Sequence, residues 1–157
     1  MSEEIQLVVF KLKQQDSTCD YGVGVTTVQE IIPITQPTRL PQTPDFIEGI
    51  INLRGKVIPI IDLKKRFNMG TSSLTAESRS VVVEAGGKTV GIIVDEVSEV
   101  LRLPVDCIEP PPAVMGAIAS DYITGVGKLE DRLLILLDMD KILNEGERTE
   151  LNDFAVK

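Results

Sequence analysis

Asp62 and Asp138 open two similar segments, DLKKRF and DMDKIL. Two carboxylates supplied by related halves of a chain are one way to build an acid–base dyad. Neither lies in a DTG-like nucleophile turn, and each stands where a short helix begins, so helix N-capping accounts for both. Nucleophilic catalysis has no base to use, because the chain lacks histidine. Cys19, in the polar turn QQDSTCD, and Cys107 form no CxxC or Cys/His cluster, which leaves zinc without ligands. GGKT, residues 86–89, imitates the end of a phosphate-binding loop, but Val82 occupies the position of that motif's first glycine. A strand-like run, TVGIIV, follows, so Gly86 and Gly87 read as a hairpin turn, and GVG at 22–24 is weaker still. PQTP, residues 41–44, meets the PxxP pattern but reads as a loop entering a short helix with Pro44 in its first turn. No catalytic residue, metal or cofactor is expected.

Arg54 is a different kind of candidate. In NLRGKVIPIIDL, residues 52–63, it is a cation beside a glycine in an otherwise apolar stretch. A buried guanidinium without a partner would be costly, so Arg54 is expected on an exposed hairpin tip, as a solvated turn residue or a recognition group.

The elements that position it come from a duplicated pattern. YGVGVTTVQEII (21–32) lies without a gap on VGIIVDEVSEVL (90–101), matching Gly22 with Gly91, Val28 with Val97 and Glu30 with Glu99. FIEGIINLRGKVIPIIDL (46–63) lies on YITGVGKLEDRLLILLDM (122–139), matching Gly49 with Gly125 and Asp62 with Asp138. The second copy holds extra residues between its blocks, around the prolines at 110–112 and MGAIAS, where an insertion is tolerated. QLVVFKL with YGVGV, and SVVVEA with KTVGIIV, read as hairpins, as do the later pairs flanking Arg54–Gly55 and Glu130–Asp131. The expected fold is all-β, with two tandem pseudo-symmetric five-stranded barrels and short helices after Thr43, Asp62 and Asp138. The modules span about residues 4–72 and 78–145, exchange of strands between them being open, and a polar tail, 146–157, follows. At the tip of the second hairpin of each copy, Arg54 and Gly55 oppose Glu130 and Asp131.

Composition narrows the partners. The 157 residues are 43% hydrophobic, enough for one ordinary domain or two small ones. With 24 acids against 16 unclustered bases, a net charge of −8, 4% aromatics and no tryptophan, nucleic acid is an unfavourable partner. The start, MSEEIQLVVFKLK, lacks the basic-then-apolar order of a secretory signal, and runs such as Leu133–Leu137 fall far short of the roughly 20 residues that span a bilayer. A reduced, cytoplasmic setting without direct membrane insertion fits two isolated cysteines. The start methionine and polar tail suggest a complete chain.

VVFKL, YGVGVTTVQEI, TPDFIEGIINLRGKVIPIIDLKKRF, TVGIIVDEVSEVL and YITGVGKLEDRLLILLDMDKIL together resemble the CheW family of chemotaxis coupling proteins, over about residues 4–145. The most specific block, FIxGxxNLRGxxxPxxDL, is intact from Phe46 to Leu63, with VxEI at Val28–Ile31 and VGIxVDxVxxV at Val90–Val100. The resemblance implies SH3-like barrels. It implies a non-enzymatic adaptor between the regulatory domain of the histidine kinase CheA and the cytoplasmic tips of methyl-accepting chemoreceptors. The family's coupling glutamate and arginine fall on Glu30 and Arg54, and its glycine before that motif on Gly49. Val28 and Ile31 are expected to supply apolar contacts to a receptor helix, and Glu30 is expected to pair with Arg54. KQQDSTCD departs from the family as a longer first hairpin loop. The alternatives are a CheW-like regulatory module of another kinase or pathway, and an enzyme using acids from both halves.

Overall fold

The computed structural model describes residues 3–14, 17–67, 74–111 and 122–142. Strands β1 (Glu4–Gln14) and β2 (Ser17–Gly24) form the first hairpin, followed by β3 (Val28–Pro33), the hairpin β4 (Ile47–Leu53) and β5 (Lys56–Asp62), and the single-turn helix α1 (Leu63–Arg66). The second copy supplies β6 (Arg79–Ala85), β7 (Lys88–Val94), β8 (Glu96–Pro104), the two-residue β9 (Ile108–Glu109), β10 (Ile123–Lys128) and β11 (Leu133–Leu137), with 3₁₀ turns at Val105–Cys107 and Met139–Lys141. No helix among the described residues is long and apolar enough to cross a membrane.

The duplication is visible in the sheets, but each sheet draws on both copies. The first sheet has the order β8-β1-β2-β11-β10-β9 and the second β3-β6-β7-β5-β4. Under the repeat alignment, β8, β1, β2, β11 and β10 correspond to β3, β6, β7, β5 and β4, so the two orders are the same apart from β9. The β1–β2 hairpin of the first copy has joined the sheet of the second copy, and β6–β7 has made the reverse exchange. Both sheets also contain one parallel neighbour pair at the same place, β2 with β11 and β7 with β5. Ladder irregularities recur at aligned positions, between Ile47 and Gly49 and between Ile123 and Gly125.

β1 shows why the halves do not separate. Successive side chains of a strand point to opposite faces. Val8, Phe10 and Leu12 enter a core shared by both sheets, packed with Val81, Val83, Ile92 and Leu63, whereas Leu7 and Val9 enter a smaller core with Leu103, Leu134 and Leu136. One hydrophobic run therefore serves two cores, which explains its lack of a polar face.

Asp62 and Asp138 cap as expected: the Oδ1 atoms accept from the N–H groups of Lys64 at 3.1 Å and Asp140 at 3.0 Å. The helix expected after Thr43 does not form. Residues 45–46 instead lie in a turn closed by the Ile47 N–H on the Pro44 carbonyl at 3.0 Å, and the Phe46 carbonyl accepts from Asp62 at 2.7 Å, which draws this segment into the sheet. KQQDSTCD is mainly paired strand rather than a long loop, since Gln14 is in register with Ser17, Lys13 with Thr18 and Leu12 with Cys19. MGAIAS and the tail, 146–157, lie outside the described residues.

Candidate functional site

Arg54 and Gly55 are the two central residues of the β4–β5 turn, with φ of 53° and 87°. Leu53 is in register with Lys56, and the Asn52 Oδ1 accepts from the Gly55 N–H at 2.9 Å. This is the left-handed two-residue turn that matches strand twist and favours Asn-Gly. An arginine there costs roughly 1 kcal/mol in backbone energy relative to glycine, so its side chain is the feature to explain. Its Nη1 donates to the Glu30 Oε2 at 2.8 Å, as the sequence led us to expect.

That contact crosses the sheet. Glu30 lies on β3 and Arg54 joins β4 to β5, at opposite ends of a five-stranded order. A flat sheet would hold β3 and β4 roughly 19 Å apart at ordinary strand spacing, so the pair requires the sheet to curl on itself. The Arg54 side chain is 77% exposed and that of Glu30 23%. An exposed pair of this kind contributes at most about 1 kcal/mol. It orients the guanidinium while leaving donors open to a partner's carboxylate or carbonyl.

The other expected residues divide. Ile31 is outward and exposed, whereas Val28 is half-buried against the shared core, so the two do not present one face. Gly49 is buried, with φ 144°, beneath the Thr38–Arg39 backbone. Any Cβ would collide with the Thr38 carbonyl, and Thr38 exchanges two backbone hydrogen bonds with Ile50, at 2.8 and 2.9 Å. Gly49 thus shapes the strand that leads to Arg54 and touches no outer surface.

Sequence reasoning missed the second copy of this arrangement. Arg132 aligns with Lys56 rather than Arg54, yet its Nη2 reaches Glu99 Oε2 at 2.7 Å, and Glu99 is the repeat equivalent of Glu30. Arg132 Nη1 also pairs with Asp20 at 3.0 Å. Exposed apolar residues repeat as well: Ile31 corresponds to Val100 and Val57 to Leu133, exposed by 41%, 61%, 46% and 61% in that order. The signal was present in the alignment, but strand alternation alone did not say which apolar side chains remain uncovered.

Several groups that the sequence singled out have structural places. Asp62 is buried as a cap. Gly86 and Gly87, φ 60° and 83°, form the β6–β7 turn, as expected. Burial, and then the neighbouring Cys19 thiol, push the Tyr21 hydroxyl up to about 12.

Comparison with known proteins agrees over almost the whole length. A family described as the CheW-like domain matches residues 6–147. A chemotaxis protein CheW of Klebsiella aerogenes is 39% identical over 150 residues, covering 96% of this chain and 88% of that one. A chemotaxis protein CheW of Bacillus subtilis is 34% identical over 151 residues, with 96% and 94% covered. The crystal structure of the scaffolding protein TtCheW from Thermoanaerobacter tengcongensis superposes with a TM-score of 0.81 at 39% identity, covering 94% of this chain and 96% of that one.

Proposed function

This chain belongs to the CheW-like domain family, and from that premise we propose that it is a non-enzymatic chemotaxis adaptor, coupling the cytoplasmic tips of chemoreceptors to the regulatory domain of the histidine kinase CheA. It works in the cytoplasm and reaches receptor arrays through its partners. The observation that carries this reading is the duplicated outer surface. Among the described residues, four of the six large apolar side chains left exposed fall as two repeat-related pairs, Ile31 with Val57 and Val100 with Leu133. The sheet that carries each pair also carries a carboxylate–guanidinium contact, Glu30 with Arg54 or Glu99 with Arg132. An adaptor must hold two partners at once, and a duplicated module offers two faces for doing so. Glu30 and Arg54 form the receptor-coupling contact, Ile31 stands exposed beside Glu30 on the alternate face of β3, and Val28 and Gly49 shape these strands from within.

The test is calorimetric titration of the purified protein with a CheA regulatory domain and, separately, with a receptor cytoplasmic fragment. Saturable binding to both is expected, together with a ternary complex. Binding to neither cognate partner by folded protein would overturn the proposal, and binding to a different kinase alone would favour a regulatory module of another pathway.

A further inference from the structure

Asp95 is the single residue between β7 and β8, where the chain leaves the second sheet for the first. It is 5% exposed. Its N–H donates to the Lys11 carbonyl at 3.1 Å, and its Oδ2 accepts the Lys13 N–H at 2.6 Å, so it is held to β1. The same oxygen lies 3.4 Å from Nζ of Lys64, whose side chain is 8% exposed. Lys64 belongs to α1, the continuation of β5, so one carboxylate oxygen ties an element of the second sheet to a strand of the first.

The rest of this helical segment bridges in the same direction. The Arg66 guanidinium lies over the rings of Phe46, at 4.7 Å, and Tyr122, at 5.0 Å, and its Nε donates to the Ile142 carbonyl at 2.6 Å. The Phe67 ring meets those of Tyr21 and Tyr122 at 6.1 and 5.3 Å.

The shared core already supplies attraction between the sheets, but apolar contact is non-directional and tolerates repacking. A buried ion pair behaves differently. Desolvation of both charges offsets most of its Coulombic gain, while any displacement that separates them leaves a buried charge unpaired. Its effect is therefore on which arrangement is adopted rather than on how stable the fold is. We propose that Lys64 and Asp95 are a positioning pair that selects one orientation of the two sheets, and so fixes the geometry between the face at Glu30–Arg54 and the one at Glu99–Arg132. The orientation is independent of the proposed function, and only its effect on binding rests on that reading.

The experiment is pulsed electron spin resonance on full-length protein carrying Cys19→Ser and Cys107→Ser, with spin labels introduced through Thr124→Cys on β10 and Glu84→Cys on β6, both exposed positions. Lys64→Met with Asp95→Asn removes the charges but keeps side-chain volume and an acceptor for Lys13, whereas Lys64→Arg keeps the charge. One narrow inter-sheet distance is expected in the parent and in Lys64→Arg, and a broadened distribution in the double variant. Receptor-fragment affinity should fall roughly 2- to 30-fold in the double variant, the span of couplings transmitted through packed elements. Lys64→Met alone, which leaves the Asp95 carboxylate its bond from the Lys13 N–H, gives the same readout should the double variant fail to fold. A distribution as narrow as the parent's, or equal broadening in Lys64→Arg, overturns the proposal whatever happens to binding. Failure of the parent to bind either partner would count against the proposed function and leave the distance measurement intact.

Discussion

Arg54 Nη1 and Glu30 Oε2, 2.8 Å apart, join a hairpin tip to the edge strand at the other end of the same sheet order. The contact is exposed, and the arginine backbone is left-handed. A side chain at such a position, in a pair of little energetic worth, is better explained by what it presents than by what it stabilises.

Arg54→Ala should therefore change folding stability by no more than about 1 kcal/mol in urea titrations. Arg54→Asn should match the parent or exceed it by up to about 1 kcal/mol, because Asn-Gly suits this turn. Both should weaken receptor-fragment binding. A large loss of thermal stability in Arg54→Ala, with affinity unchanged, would reassign the residue to structure.

Gly49→Ala should be far more damaging than Gly55→Ala, although both glycines have positive φ. The added methyl at Gly49 meets the Thr38 carbonyl, whereas nothing lies within 4 Å of a Cβ at Gly55. Denaturant unfolding should show about 1 kcal/mol lost at Gly55 and several at Gly49, of the order seen when backbone strain is combined with overpacking. Comparable losses at the two sites would show that φ alone decides.

The fragments 4–72 and 78–145 should each be unfolded in isolation, despite being the units of the repeat. Each lacks a hairpin that lies in the middle of its sheet, β6–β7 for the first fragment and β1–β2 for the second. Circular dichroism of the separate fragments, and of their mixture, is the check. A cooperative transition in either fragment alone would mean that the exchanged hairpins can return to their own copy.

Tyr21 should make stability fall with pH in alkali. Its folded-state value is raised to about 12 from the ordinary 10.0, first by burial and then by Cys19. The native state then holds a proton that the unfolded chain releases, so the contribution is complete below about pH 10 and is lost as the pH rises towards 12. The loss amounts to order 2 kcal/mol. Tyr21→Phe should flatten that slope, as read from urea midpoints at several pH values. An unchanged slope would assign the alkaline loss to other groups.

Much of this architecture is legible from local pattern. Alternation identified the hairpins, Gly86–Gly87 and Arg54–Gly55 identified two turns, and Asp62 and Asp138 announced the short helices as capping residues, because each of these features depends on near neighbours. The helix expected after Thr43 failed for the opposite reason: the Phe46 carbonyl takes its hydrogen bond from Asp62, a residue remote in sequence.

By itself, the sequence determined the duplication, the strands and the opposite charges of Glu30 and Arg54, since periodicity, propensity and residue type are properties of the chain. Only the tertiary structure decided which hairpin enters which sheet, that Val28 turns inward while Ile31 remains outside, and that Arg132 recreates with Glu99 the contact made by Arg54. These outcomes depend on how two similar sheets divide one set of apolar faces between them. Lys64 and Asp95, whose pairing no local pattern announces, become partners because the fold buries them at the same crossover.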